Sequence, residues 1–153
     1  MKKCLLLFTL AVGGLALLPA QTAAEMDTLL NTQAVTYAQA ARFVLEAAEA
    51  ASIAHPAEAF RFAQEKNWLP KDASPDDEAR LDGISLLFMG AFDLKGGFLY
   101  SFIKNPHYAY RELVYRSVIQ GRADPQMAVT GYQLIFMTNR ILAIQEEEAG
   151  SSQ

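Results

Sequence analysis

The chain has 153 residues, 52% of them hydrophobic, with 13 basic and 17 acidic side chains for a net charge of −4. That length suits one domain with an ordinary core, and the acidic balance argues against nucleic acid, whose phosphates require neutralisation. The one cysteine, Cys4, leaves no partner for an internal disulfide. Lys2 and Lys3 open the chain, an apolar run fills residues 4–18, and Pro19 precedes the small residues Thr22, Ala23 and Ala24. This order is that of a secretory signal peptide. The run falls short of the roughly 20 apolar residues of a spanning helix, and Cys4 sits too early for a lipoprotein cleavage site. Residues 1–24 are therefore expected to be removed near Ala24, leaving an exported chain in the periplasm or cell envelope. No membrane span is expected in it. Loss of Lys2 and Lys3 takes its net charge to −6 and removes the thiol.

Residues 36–54 are alanine-rich and predict a helix. Thr36 followed by Gln39 is a capping box, in which each side chain satisfies a backbone N–H left free in the first turn. Pro56 suits the first position of a second helix, and Asn67 suits a left-handed stop after Lys66. Trp68-Leu69-Pro70 is a short extended stretch, followed by a polar loop at 71–78. Asp82 is expected to cap a third helix carrying Leu86, Leu87, Met89 and Phe92. Residues 97–104 are expected to form a buried turn or short helix after Lys95-Gly96-Gly97. Asn105-Pro106 begins a helix ending near Ser117, Val118-Ile119 is extended, and 121–126 is a loop. Thr130, with Gln133 three residues on, caps the last helix. Residues 146–153, with Glu146-Glu147-Glu148 and a Gly-Ser-Ser ending, are expected to be a disordered tail.

The chain repeats. Phe60, Trp68, Leu69, Ala73 and Pro75 match Tyr110, Val118, Ile119, Ala123 and Pro125 at a spacing of 50. Leu81-Asp82-Gly83 and Leu86 to Met89 then match Val129-Thr130-Gly131 and Leu134 to Met137 at a spacing of 48. Val35-Thr36-Tyr37 supplies a third copy of the capped start, with Phe43 where Met89 and Met137 lie. Such units cannot bury their apolar faces singly and are expected to pack around one centre. The fold class is all-α, a single small domain of three imperfect helix–loop–helix repeats over residues 25–145, with short extended segments.

The arrangement of helix, short apolar stretch, loop and capped helix resembles the S-layer homology repeat over residues 29–144. The signature of that family, of the form Ile-Thr-Arg-Ala-Glu, corresponds to Val35-Thr36-Tyr37-Ala38-Gln39, Leu81-Asp82-Gly83-Ile84-Ser85 and Val129-Thr130-Gly131-Tyr132-Gln133. The resemblance implies an envelope module that holds a cell-wall polysaccharide. The arginine with which the family grips an anionic polymer is replaced by Tyr37, Gly83 and Gly131.

Catalytic patterns are absent from the sequence. His55 and His107 each adjoin a proline at a helix start, and a metal site needs further converging ligands. Ser85, Ser101 and Ser117 lack a nucleophile-elbow context, and no cofactor motif is present. Residues 98–122 gather Tyr100, Tyr108, Tyr110 and Tyr115 with Lys104, Arg111, Arg116 and Arg122 around the lone acid Glu112. Tyr108, Arg111 and Tyr115 share a helix face by spacing. Two readings stand for this patch. Tyr108, Arg111, Tyr115, Arg116 and Arg122, with Trp68 as a platform, could hold sugar rings and anionic groups. Alternatively the tyrosines pack the core, the arginines are solvated, and Trp68 is a core anchor. The function expected is a non-catalytic envelope module that binds cell-wall polysaccharide, peptidoglycan or an envelope protein. A helical periplasmic adaptor and a small exported hydrolase are the alternatives.

Overall fold

The computed structural model describes residues 18–121 and 123–150, and the molecule is mainly α-helical. Most of the expected signal peptide, residues 1–17, and candidate Arg122 lie outside the described residues. The helices are α1 (Leu18–Leu30), α2 (Tyr37–Ala47), α3 (Pro56–Glu65), α4 (Leu81–Ala91), α5 (Phe98–Phe102), α6 (Pro106–Tyr115) and α7 (Gly131–Gly150). The described residues contain no strand, only isolated bridges at Thr36–Glu78 and Arg80–Ala128. Trp68-Leu69-Pro70 and Val118-Ile119 thus connect helices without pairing as strands.

Local chemistry sets most helix ends. Gln39 N–H donates to Thr36 Oγ1 at 3.2 Å while Thr36 N–H donates to Gln39 Oε1 at 3.0 Å. Thr130 and Gln133 make the same reciprocal pair at 3.1 and 2.9 Å. Pro56 and Pro106 open α3 and α6, and the Asn105 side chain accepts from Tyr108 N–H. Asn67 and Ser117, both left-handed at φ 58° and 57°, end those two helices. Helix α2 stops seven residues earlier than expected. Glu49 turns left-handed at φ 53°, and Ala50 N–H closes the end by donating to Leu45 O. At the far end, α7 runs through the three glutamates to Gly150, so residues 146–150 are helical rather than a disordered tail.

Three backbone segments meet at the centre. Val35 N–H donates to Val129 O (2.9 Å), Val129 N–H to Ala79 O (2.9 Å) and Ala79 N–H to Val35 O (2.8 Å). All three residues are fully buried. The closed triangle satisfies six backbone groups that water cannot reach. It makes Thr36, Arg80 and Thr130 equivalent, and likewise Tyr37, Leu81 and Gly131.

This corrects the register of the second unit. Arg80, not Asp82, is the N-cap of α4, and it makes no side-chain cap bond. Asp82 lies in the first turn, where its carboxylate accepts from Gly83 N–H and pairs with Arg80. The spacing of 50 between the second and third units therefore continues through the capped helices. Met137 corresponds to Leu87, and Phe136 to Leu86. Phe136 is 42% exposed, whereas Phe88 is fully buried. Met89 and Met137 are both core residues, though not equivalent ones.

The units also complete one another's helices. The first N–H groups of a helix lack intrahelical acceptors. In α2 they donate across the junction, Tyr37 N–H to Asp77 O and Ala38 N–H to Pro75 O. In α4 the pattern repeats, the donors 44 and the acceptors 50 residues on, with Leu81 N–H to Met127 O and Asp82 N–H to Pro125 O. In α7 Gly131 N–H donates to Thr32 O, after α1. Helix α2 packs on α3, α4 on α6, and α7 on α1, so the two ends of the chain close the third pair. Ala24, the expected cleavage point, lies within α1. The residues beyond it tie α1 to its neighbours: Glu25 bridges Arg42 of α2 at 2.8 Å, and Leu29 meets Gly131 of α7.

Candidate functional site

Among the described residues, the site candidates of 98–122 do not gather into one site. Tyr108 is half-buried against the core, with the His107 ring edge-on at 5.3 Å. Arg111 is exposed, and Tyr115 is 87% exposed. Arg116 is half-buried and already bonded: its guanidinium donates to Lys95 O and pairs with Glu148 at 3.5 Å. Tyr115 and Arg116 do share a shallow hollow of about 460 Å³ with Lys95, Glu112, Ile144 and Glu148. Two carboxylates and a committed guanidinium make that hollow a poor cradle for an anionic polymer. Tyr110 donates its hydroxyl to Ala123 O at 2.7 Å and packs half-buried. Tyr100 is buried, and burial together with Glu112 pushes its phenol up to about 12. Trp68 is a packing residue. Its ring stands edge-on to Phe62 at 6.0 Å and lies against Gly90, where a Cβ would come within 2.2 Å of Cδ1. His55 and His107 sit at the starts of α3 and α6, exposed.

The groove that sequence reasoning missed lies at the junction of the first and second units. It encloses about 220 Å³ between the N-terminus of α2 and the loop leading to α4. Its lining includes Tyr37, Asp72, Asp77, Glu78 and Arg80. Tyr37 forms the floor. Its hydroxyl accepts from Arg80 N–H at 3.3 Å, and burial raises its phenol above the ordinary value. It therefore stays neutral at physiological pH. Gly83 exists to admit this ring: a Cβ there would fall 2.3 Å from the Tyr37 hydroxyl. Arg80 is held by Asp82 at 3.3 Å, which keeps its guanidinium charged and reduces its availability to other anions. Asp77 accepts from Ser74 N–H and shapes the loop, leaving Asp72 and Glu78 as exposed acceptors at the rim. A signal for this groove was present in the Asp-rich loop, but only the cross-junction hydrogen bonds bring it onto Tyr37.

Comparison with family models, curated proteins and solved structures finds no match to this chain.

Proposed function

We propose that the protein is an exported, non-catalytic module of the cell envelope, and that it takes an uncharged, hydroxyl-rich glycan of the wall in the groove between its first two units. The observation that carries this reading is the groove lining. Three carboxylates outnumber one guanidinium, and that guanidinium is paired with Asp82. Carboxylates are strong acceptors for sugar hydroxyls, and the same charges repel a phosphorylated or pyruvylated polymer. Tyr37 stands where the S-layer homology signature has its arginine, so the departure from the family and the acidity of the groove agree. Export rests on the arrangement of Lys2, Lys3, the apolar run at 4–18 and Ala24.

A basic segment of an envelope protein is the second reading, favoured by the same excess of carboxylates. Sedimentation with purified peptidoglycan tests the first. Binding should fall at least about tenfold in Asp72→Asn/Glu78→Gln, which turns two charge-assisted acceptors into weaker neutral amides. It should persist in high salt, because screening weakens charge pairing far more than hydroxyl bonds. Binding that salt abolishes would favour the protein segment. Absence of pelleting by the unaltered chain would remove the glycan reading.

A further inference from the structure

The α2–α3 connection and the α4–α6 connection are equivalent: α2 matches α4 at a spacing of 44, and α3 matches α6 at 50. Both α2 and α4 end in the same left-handed turn, at Glu49 and Asp93, with φ of 53° and 49°. Both α3 and α6 start at a proline. The α4–α6 connection therefore carries six extra residues between the same two landmarks. The α2–α3 connection is made without them, so the fold does not require them.

Those extra residues form α5 and its exit, and their side chains face the wrong way for core residues. Only Tyr100 turns inward. Phe98 is 77% exposed, Phe102 75%, Leu99 49% and Ile103 50%. The Phe98 and Phe102 rings lean together, tilted at 52° with centroids 4.7 Å apart, which makes a projecting apolar knob. An exposed cluster of this kind marks an interaction surface. Its charge setting is also distinctive. From Leu94 to Arg111 there is no acid, while Lys95, Lys104 and Arg111 are exposed, in a chain of net charge −4.

We propose that this inserted knob docks the protein onto the surface of an anionic lipid bilayer. A convex group of Phe, Leu and Ile needs no matching cavity in lipid, and flanking Lys and Arg complement anionic headgroups. A second copy of the chain is a poorer fit. It would have to offer an apolar recess, whereas the two hollows described above are lined by charged side chains. Docking is independent of the glycan groove, which lies on other elements. The two can fail separately.

Sedimentation of the exported form with vesicles tests this. With phosphatidylglycerol and phosphatidylcholine in equal parts, the unaltered protein should pellet. Phe98→Ser/Phe102→Ser should lower the bound fraction at least about tenfold while keeping the far-ultraviolet spectrum, because those rings contribute little to the core. Phe98→Leu/Phe102→Leu should bind nearly as well as the original. Lys95→Glu/Lys104→Glu should lose binding to the anionic vesicles, leaving only the weak binding seen with pure phosphatidylcholine. Equal pelleting of the original and the serine variant would overturn the proposal. So would absence of pelleting, or a dimer that the serine variant abolishes.

Discussion

Thr36, Arg80 and Thr130 occupy one position in three units, and only the two threonines cap their helices with a side chain. The chain thus contains its own control for the value of a cap. Replacing a capping threonine by alanine costs about 1 kcal/mol. Thr36→Ala and Thr130→Ala should each lower unfolding stability by about that amount. Arg80→Ala forfeits only a partly exposed ion pair, worth about 0–1 kcal/mol, and should cost less than either. Urea denaturation of the three variants checks the order; an Arg80→Ala loss equal to the threonine losses would contradict it. The capping boxes were legible in the sequence because both partners lie within one turn. Asp82 was misplaced for the complementary reason. An aspartate before an apolar run is a good cap on local grounds, and only the distant contacts of Ala79 with Val35 and Val129 set the helix start two residues earlier.

At the scale of elements, Gly131 decides whether the ends of the chain can meet. It begins α7, and an added Cβ would lie 1.6 Å from the backbone oxygen of Leu29. A backbone atom cannot swing aside as a side chain does, so α1 would have to withdraw. Gly131→Ala should therefore cost about 3 kcal/mol, the upper range for overpacking, and should open the segment before residue 33 to protease. Gly150→Ala meets nothing within 4 Å and should leave both stability and cleavage unchanged. Limited proteolysis with mass analysis reads the difference, and equal trimming of the two variants would show that the contact is unimportant. The pairing of helices was partly legible: Pro56 with Pro106 and Asn67 with Ser117 fall at matching places. The spacing was lost beyond Pro75 and Pro125 because Leu86 to Met89 and Leu134 to Met137 are alike in type. Chemical likeness drew the alignment two residues off, while burial follows the backbone. Gly83 and Gly131 illustrate this, since one admits Tyr37 and the other admits Leu29. Similarly, the apolar run at 97–104 looked buried by composition, yet its four large aliphatic and phenyl side chains, Phe98, Leu99, Phe102 and Ile103, face solvent. Periodicity cannot separate a core segment from a surface knob when so few residues are involved.

For the molecule as a whole, the backbone triangle at Val35, Ala79 and Val129 couples the units more tightly than a linear repeat array does. In an open array each unit contacts only its neighbours and can unfold in steps. Here each unit donates to the next around a closed ring, and the first and third are joined by α1 on α7. No pair of units can keep its helix starts satisfied once the remaining one leaves. The loop that serves α2 belongs to the second unit, and the loop that serves α4 belongs to the third. Unfolding should accordingly be a single two-state transition. Trp68, between Phe62 and Gly90, reports the second unit by fluorescence, and far-ultraviolet dichroism reports all the helices. Their midpoints should coincide in urea. Val129→Ala, placed in the third unit and remote in sequence from Trp68, should shift both midpoints together, by the roughly 1 kcal/mol or more expected for a buried methyl pair. A fluorescence midpoint that stays fixed while the dichroism midpoint falls would mean that the third unit unfolds alone and that the triangle does not bind the three into one.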